Sequence, residues 1–131
     1  MLPYGRQSVD ESDIKAVEAV LRGDWLTTGP AVAAFEEDLR RICGTSGAVS
    51  VTSGTAALHV AYAALEVGKG DEVVTTPLTF VATASCASVL GATIVCADIS
   101  EATGNLDPRA VRAVLTARTP GVAGVDHAGN P

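Results

Sequence analysis

The amino-acid sequence predicts an α/β fold in which short parallel strands alternate with helices, and three observations support this prediction. After Gly44, runs rich in β-branched residues alternate with alanine-rich stretches of helical composition. Two of these runs break at Ser53 and Thr76 and pass directly into helical patterns. Before Gly44, apolar residues recur at helical spacing. Alternation of this kind is typical of a parallel sheet covered by helices on both faces.

The part of the chain before Gly44 is predicted to form two helices. The first begins near Val9 and ends before Gly23, with acidic residues in its first turn. Its apolar face consists of positions 14, 17, 20 and 21. Residues 25–30 are predicted to form a loop, and Pro30 suits the first turn of the second helix.

Strands and helices are predicted to alternate from residue 46 onwards. They are a strand near 48–51, a helix at 55–66, a strand at 72–75, a helix at 79–89, a strand at 93–97, a helix at 107–117 and a strand at 121–125. Residues 68–71 are typical of a tight turn between a helix and a strand. Asp107 followed by Pro108 is typical of a helix start.

Composition excludes several classes of function. A chain of 131 residues is typical of one domain, and 47% hydrophobic residues is high for a small one, so we expect part of its apolar surface to be covered. A net charge of −6 disfavours nucleic acid and anionic membranes as partners. We find neither a signal-peptide pattern nor an apolar stretch long enough to span a bilayer, and expect a cytoplasmic protein.

The cysteines and histidines show no pattern of a metal site or a disulfide framework. Cys43, Cys86 and Cys96 are odd in number and lack C-x-x-C spacing, so we expect small buried residues in a reducing compartment. With His59 and His127 as the two histidines, no metal site is predicted. His59 lies in an apolar helix and is expected to pack in the core.

Residues 49–58 have the pattern of an anion-binding site. A strand that ends at Ser53, Gly54 and Thr55 allows the following helix to present its free N–H groups to a phosphate. The alternative is a plain turn between strand and helix, because Ser and Thr are common helix caps. Neither a Walker A motif nor G-x-G-x-x-G occurs, which disfavours a nucleotide cofactor.

Phe80 is the aromatic residue that follows the strand predicted at 72–75. This position lies at the carboxyl edge of the sheet, where open α/β sheets bind ligands. Burial in the core is the alternative for a phenylalanine. A phosphate site and an aromatic face at the same sheet edge would suit a flat, phosphorylated cofactor.

Three segments resemble, in order and spacing, the N-terminal part of the DegT/DnrJ-type sugar aminotransferases: Asp24–Pro30, Ser53–Leu58 and Thr76–Thr83. Members of this family are enzymes of the pyridoxal 5'-phosphate (PLP) dependent transferase fold type I, the aspartate aminotransferase-like fold. The resemblance covers essentially the whole chain but about the first third of a family member. Residues 2–7 look most like the family's transaminases that make UDP-4-amino-4,6-dideoxy-N-acetyl-β-L-altrosamine on the pseudaminic acid pathway.

The resemblance implies a domain division and a set of site residues. Residues 1–45 would be an N-terminal helical arm with an active-site loop, and residues 46–131 the first, truncated part of the PLP-binding large domain, with an incomplete sheet. The implied cofactor-binding residues are Gly54, Thr55 and Ala56 at the phosphate and Phe80 on the pyridine ring. The implied substrate-binding residues are Tyr4, Thr27, Thr28 and Gly29.

The resemblance also implies that the central catalytic residue is missing from this chain. The family lysine that forms a Schiff base with PLP matches neither Lys15 nor Lys69, and its position lies beyond residue 131. We therefore predict no catalytic residue here and expect the chain alone to be inactive.

The implied activity of the full enzyme is transfer of an amino group, typically from glutamate, to a UDP-linked 4-keto-6-deoxy sugar by a homodimer. The expected partners are thus a nucleotide-sugar substrate and an amino donor. Two alternatives stay open. One is a PLP- or PMP-dependent sugar dehydratase of the same family, in which histidine replaces the lysine. The other is a non-catalytic fragment or binding module that uses the phosphate site.

Overall fold

The computed structural model describes residues 5–130, which fall into two compact units, one ending at Ser50 and one beginning at Val51. The elements are α1 (Glu11–Leu21), α2 (Pro30–Cys43), α3 (Gly54–Ala64), β1 (Glu72–Thr75), α4 (Ala82–Val89), β2 (Thr93–Cys96), α5 (Pro108–Val114), β3 (Gly121–Ala123) and a 3-10 helix (His127–Gly129). Within this described part, none of the helices is both long and apolar enough to cross a membrane.

The first unit consists of α1 and α2, as the helical spacing predicted. Asp10 caps α1, and the side chains of Asp10 and Asp13 accept reciprocal hydrogen bonds from each other's backbone N–H groups. Pro30 occupies the first turn of α2, and Gly44 ends it in the left-handed conformation, with φ of 64°. Neither helix has a fully buried residue, so the predicted apolar face of α1 stays exposed.

The second unit contains a parallel three-stranded sheet with the order β2-β1-β3. All four residues of β1 are buried. Helix α4 packs against β1 and β2, and α3 packs against α4. The buried core cluster consists of Tyr62, Val67, Val73, Ala82, Cys86, Ala87 and Ala92. The predicted parallel α/β fold is therefore confirmed.

An ion pair fixes the segment between α5 and β3 to the start of β1. The buried carboxylate of Glu72 accepts hydrogen bonds from the Arg118 guanidinium and from Thr116 Oγ1, the latter at 2.6 Å. The Glu72 N–H donates to the Arg118 carbonyl at 2.8 Å. Residues 116–118 consequently leave the helical path, and α5 ends at Val114 instead of at the predicted residue 117.

The prediction of a strand at 48–51 is wrong, because no strand forms there in the described chain. A strand requires a hydrogen-bonded neighbour. The Ser50 N–H and Oγ instead both donate to Glu36 Oε1, each at 2.8 Å. The helix predicted to begin at residue 79 begins at Ala82.

The prediction of buried cysteines holds for one of the three. Cys86 is buried in the core, whereas Cys43 and Cys96 are exposed. Cys43 is the last residue of α2, which has no fully buried residue, and Cys96 is the last residue of the edge strand β2. Their exposure therefore follows from their places at the ends of exposed elements.

Candidate functional site

The start of α3 presents three hydrogen-bond donors that have no partner within residues 5–130. Ser53 caps the helix, its Oγ accepting the Ala56 N–H at 3.1 Å. The N–H groups of Gly54 and Thr55 and the hydroxyl of Thr55 are exposed and unused in the described part. Apart from its chain neighbours and the backbone of α3 itself, no heavy atom lies within 4 Å of the position that a Cβ on Gly54 would occupy, so the space beside it is open. The N-terminus of α3 can therefore accept an anion.

The predicted phosphate residues differ in what they offer. Gly54 and Thr55 carry free donors, whereas the Ala56 N–H already donates to Ser53 Oγ. Ala56 thus helps to hold the helix cap.

Phe80 lies beyond the carboxyl end of β1, and its side chain is 75% exposed. Burial in the core, the alternative considered for this residue, is therefore wrong. The ring is exposed beyond the end of β1, and its contact with a cofactor stays a prediction.

Two hydrogen bonds join α3 to α4. Cys86 Sγ donates to the Thr55 carbonyl at 3.3 Å, and Tyr62 Oη donates to the Thr83 carbonyl at 2.8 Å. Burial raises the pKa of Tyr62, and the negative charge of a Cys86 thiolate would raise it further. Sequence reasoning missed this link. Its signal was Tyr62, the one tyrosine of α3, because a buried tyrosine hydroxyl usually has a hydrogen-bond partner.

A cleft of about 400 Å³ lies between α3 and α4. It is lined by Ser53, Thr55, Ala56, His59, Val60, Ser85, Cys86 and Val89. His59 is half-buried here, so the prediction that it packs in the core is wrong. The side chain lies one turn after Thr55 and faces the cleft instead.

The loop that holds the predicted substrate residues lies in the first unit. Thr27 and Thr28 are exposed, and Thr28 has a positive φ of 48°. Gly29 caps α2, and a Cβ there would lie 2.7 Å from the Cβ of Trp25. Glycine is therefore required at this turn. Tyr4, the remaining predicted substrate residue, lies outside the described residues.

Within the second unit, Lys69 does not lie beside Phe80. Lys69 lies in the turn before β1, whereas Phe80 follows the opposite end of the same strand. Lys15 lies in α1, in the first unit. The second unit thus offers hydrogen-bond donors at the start of α3 and an exposed aromatic ring after β1, and its one lysine lies at the opposite end of β1 from that ring.

Residues 7–131 match the family model of the DegT/DnrJ/EryC1/StrS aminotransferase family. The chain belongs to this family. Among solved structures, it is similar to an aminotransferase from Psychrobacter cryohalolentis, with 39% identity and a TM-score of 0.89 over 98% of this chain and 33% of that one. PseC from Helicobacter pylori, an aminotransferase involved in the biosynthesis of pseudoaminic acid, has 36% identity and a TM-score of 0.91 over 98% of this chain and 35% of that one.

A third similar structure bears on the cofactor. A Streptococcus pneumoniae protein has 34% identity and a TM-score of 0.93 over 99% of this chain and 33% of that one, and it is known in apo, PMP and PLP forms. The family, the fold and, for the family, the cofactor PLP are thus confirmed as predicted. The chain spans about a third of the length of these relatives. All three are named as aminotransferases, which does not favour the dehydratase alternative.

Proposed function

We propose that this chain forms the N-terminal part of a PLP-dependent aminotransferase that acts on a nucleotide-linked keto sugar. The observation that carries the proposal is the family match over residues 7–131, together with 36% identity to the H. pylori aminotransferase along nearly the whole chain. The free donors of Gly54 and Thr55 and the exposed ring of Phe80 support it.

In this proposal the residues of the second unit bind and orient the cofactor. The N–H groups of Gly54 and Thr55, with the Thr55 hydroxyl, hold the phosphate at the positive end of the α3 dipole. Phe80 would stack on the pyridine ring and help to orient it. When bound, PLP supplies the electron sink that amino-group transfer needs. Ala56 contributes through its hydrogen bond to the Ser53 cap.

For the substrate we propose a UDP-linked 4-keto-6-deoxy sugar, with glutamate as the amino donor. The support is the resemblance of residues 2–7 and the similarity to an enzyme of pseudoaminic acid biosynthesis. Tyr4 and the loop residues Thr27, Thr28 and Gly29 are the proposed substrate contacts.

We further propose that the active form is a homodimer and that its lysine comes from outside these 131 residues. In this arrangement residues 1–45 form the arm and active-site loop, and residues 46–131 begin the PLP-binding domain.

A chimera tests the proposal. This chain replaces the matching N-terminal third of the H. pylori aminotransferase, and the product is assayed with glutamate and UDP- or dTDP-linked 4-keto-6-deoxy sugars. We expect amination of the UDP sugar, detected by mass spectrometry, with the unaltered H. pylori enzyme as control. Turnover of the dTDP sugar alone would contradict the proposed substrate. A folded chimera that aminates neither sugar would contradict the proposed activity.

A further inference from the structure

Three hydrogen bonds that meet at Thr83 connect Phe80 to the body of the second unit. Tyr62 Oη, in α3, donates to the Thr83 carbonyl at 2.8 Å. The Thr83 N–H donates to the Phe80 carbonyl at 3.0 Å. The Thr83 hydroxyl and the hydroxyl of Thr79 are 2.8 Å apart. The residue before Phe80 and the carbonyl of Phe80 itself are therefore both tied to Thr83.

Burial differs sharply between the two ends of this connection. Tyr62 and Thr83 are only 7% and 8% exposed, so water competes little for their hydrogen bond. Phe80 is 75% exposed. Its position is consequently set by its backbone and not by packing of its ring.

We propose that Tyr62 is a positioning residue that holds Phe80 at a fixed distance and angle from the start of α3. The inference rests on the proposed function, in which Gly54 and Thr55 hold the phosphate of a ligand whose ring lies on Phe80. Tyr62 lies in the same helix as the phosphate donors, so its hydroxyl links the two halves of the site. The Cys86 bond to the Thr55 carbonyl ties the first turn of the same helix to α4.

A single fluorescent reporter tests the link. The combination Phe80→Trp and Trp25→Phe leaves one tryptophan, placed at position 80, where the exposed side chain of Phe80 leaves room for it. Tyr62→Phe is then added, because it keeps the buried ring and removes only the hydroxyl. We expect the steady-state anisotropy of the tryptophan to fall without any ligand, because the segment is released from α3.

Thr116→Val is the matched control in the same reporter chain. It removes a hydroxyl that donates to Glu72, in the same unit but at the amino end of β1, away from Thr83. We expect it to leave the anisotropy unchanged. An unchanged anisotropy in the Tyr62→Phe chain, or an equal fall in both chains, would overturn the inference.

A second experiment uses the chain with its natural Phe80 and measures ligand binding. It shows whether a failure lies with the role of Tyr62 or with the proposed ligand site. Inorganic phosphate probes the donors at α3 alone, whereas PMP probes the donors and the ring together. Tyr62→Phe should raise the dissociation constant for PMP about fivefold, the equivalent of one hydrogen bond, and leave that for phosphate unchanged. Equal PMP affinities in the two chains would overturn the inference. If the parent chain binds neither probe, the ligand-binding roles proposed for Gly54, Thr55 and Phe80 in this chain fail, and the anisotropy alone decides whether Tyr62 positions residue 80.

Discussion

Thr55 combines a free N–H and a free hydroxyl at the positive end of a helix, which makes it the residue whose removal should most affect phosphate binding. Thr55→Val keeps the shape of the side chain and removes the hydroxyl. A hydrogen bond to a charged oxygen contributes about 1.5 to 3 kcal/mol, so we expect the PMP dissociation constant to rise about tenfold or more. Isothermal titration calorimetry measures the change.

Thr55→Ser is the control for this prediction, because it retains the hydroxyl and should bind PMP nearly as well as the parent chain. An unaltered PMP affinity in the Thr55→Val chain would show that the Thr55 hydroxyl does not bind the phosphate.

A side chain at Gly104 should be unfavourable for two reasons, the backbone conformation of Gly104 and its close contact with His127. Its φ is 75°, and a Cβ there would lie 2.7 Å from His127 Cδ2. Gly104→Ala should therefore destabilise the second unit through left-handed strain of about 1 to 2 kcal/mol, and the His127 ring must also shift to admit the added Cβ. Urea unfolding measures the sum.

Gly129→Ala isolates the backbone contribution. The φ of Gly129 is 76°, but apart from neighbouring residues no heavy atom lies within 4 Å of the added Cβ. We expect the smaller loss there, and we expect His127→Ala to recover part of the loss in a Gly104→Ala chain. Equal losses for the two alanine variants would show that contact with His127 costs nothing.

The lengths of the strands show what local sequence predicts and what it does not. The strand at 72–75 was predicted with its observed bounds, because its β-branched run is bounded by a glycine turn and Pro77. The strands predicted at 93–97 and 121–125 are shorter because Thr75, the last residue of β1, pairs with Cys96 on one side and Ala123 on the other. The end of a strand thus depends on its partner, which its own sequence does not contain.

Contacts between distant residues account for the other differences. Glu72 binds Thr116 and Arg118 and ends α5 early, although the local sequence continues as a helix. The free donors at Gly54 and Thr55 were predictable because a helix start leaves them free. The link from Tyr62 to Thr83 was not, since it spans 21 residues and requires that α3 pack against α4.

The contact between α2 and residue 50 should depend on pH. The N–H and hydroxyl of Ser50 hold the pKa of Glu36 below its ordinary value of 4.5. The contact favours the carboxylate, so its contribution to stability is present above pH 4.5 and is lost as the pH falls through the lower folded pKa. The amide proton shift of Ser50, followed by NMR, should titrate with a midpoint below 4.5.

Two variants show which carboxylate causes the pH dependence of the Ser50 amide shift. Glu36→Gln should abolish it, whereas Glu37→Gln, which removes a carboxylate that binds Arg40, should leave it unchanged. A midpoint at or above 4.5 would contradict the assignment.

The molecule as a whole exposes more apolar surface than its core requires. The exposed large apolar residues include Ile14, Val17 and Leu21 on α1, and Leu78, Phe80, Val81 and Val89 around α4. Within the described residues, β2 and β3 each pair on one side only. Surfaces of this kind are commonly covered by other parts of a protein or by a second subunit. A second subunit, as proposed above, or further chain like that of the longer relatives could cover these apolar residues and strand edges.

The positions of the lysines decide what this polypeptide can do with PLP. Lys69 precedes β1 and Phe80 follows it, so the four residues of the strand, about 13 Å long, separate them. A cofactor held at Gly54 and Thr55 with its ring on Phe80 therefore has no amine of the second unit within reach. Borohydride reduction of the chain with PLP should give no stoichiometric pyridoxyl group on Lys15 or Lys69, as measured by peptide mass spectrometry.

The chimera with the H. pylori enzyme provides the positive control. Borohydride reduction with PLP should label one lysine in the part that comes from the H. pylori enzyme. Weak labelling of exposed lysines is expected in any protein, so the criterion is a stoichiometric label that depends on the phosphate site. If Lys69 of the chain alone were labelled stoichiometrically, and Thr55→Val abolished the label, the amine would belong to this chain after all. The proposal that the lysine comes from outside these 131 residues would then be wrong.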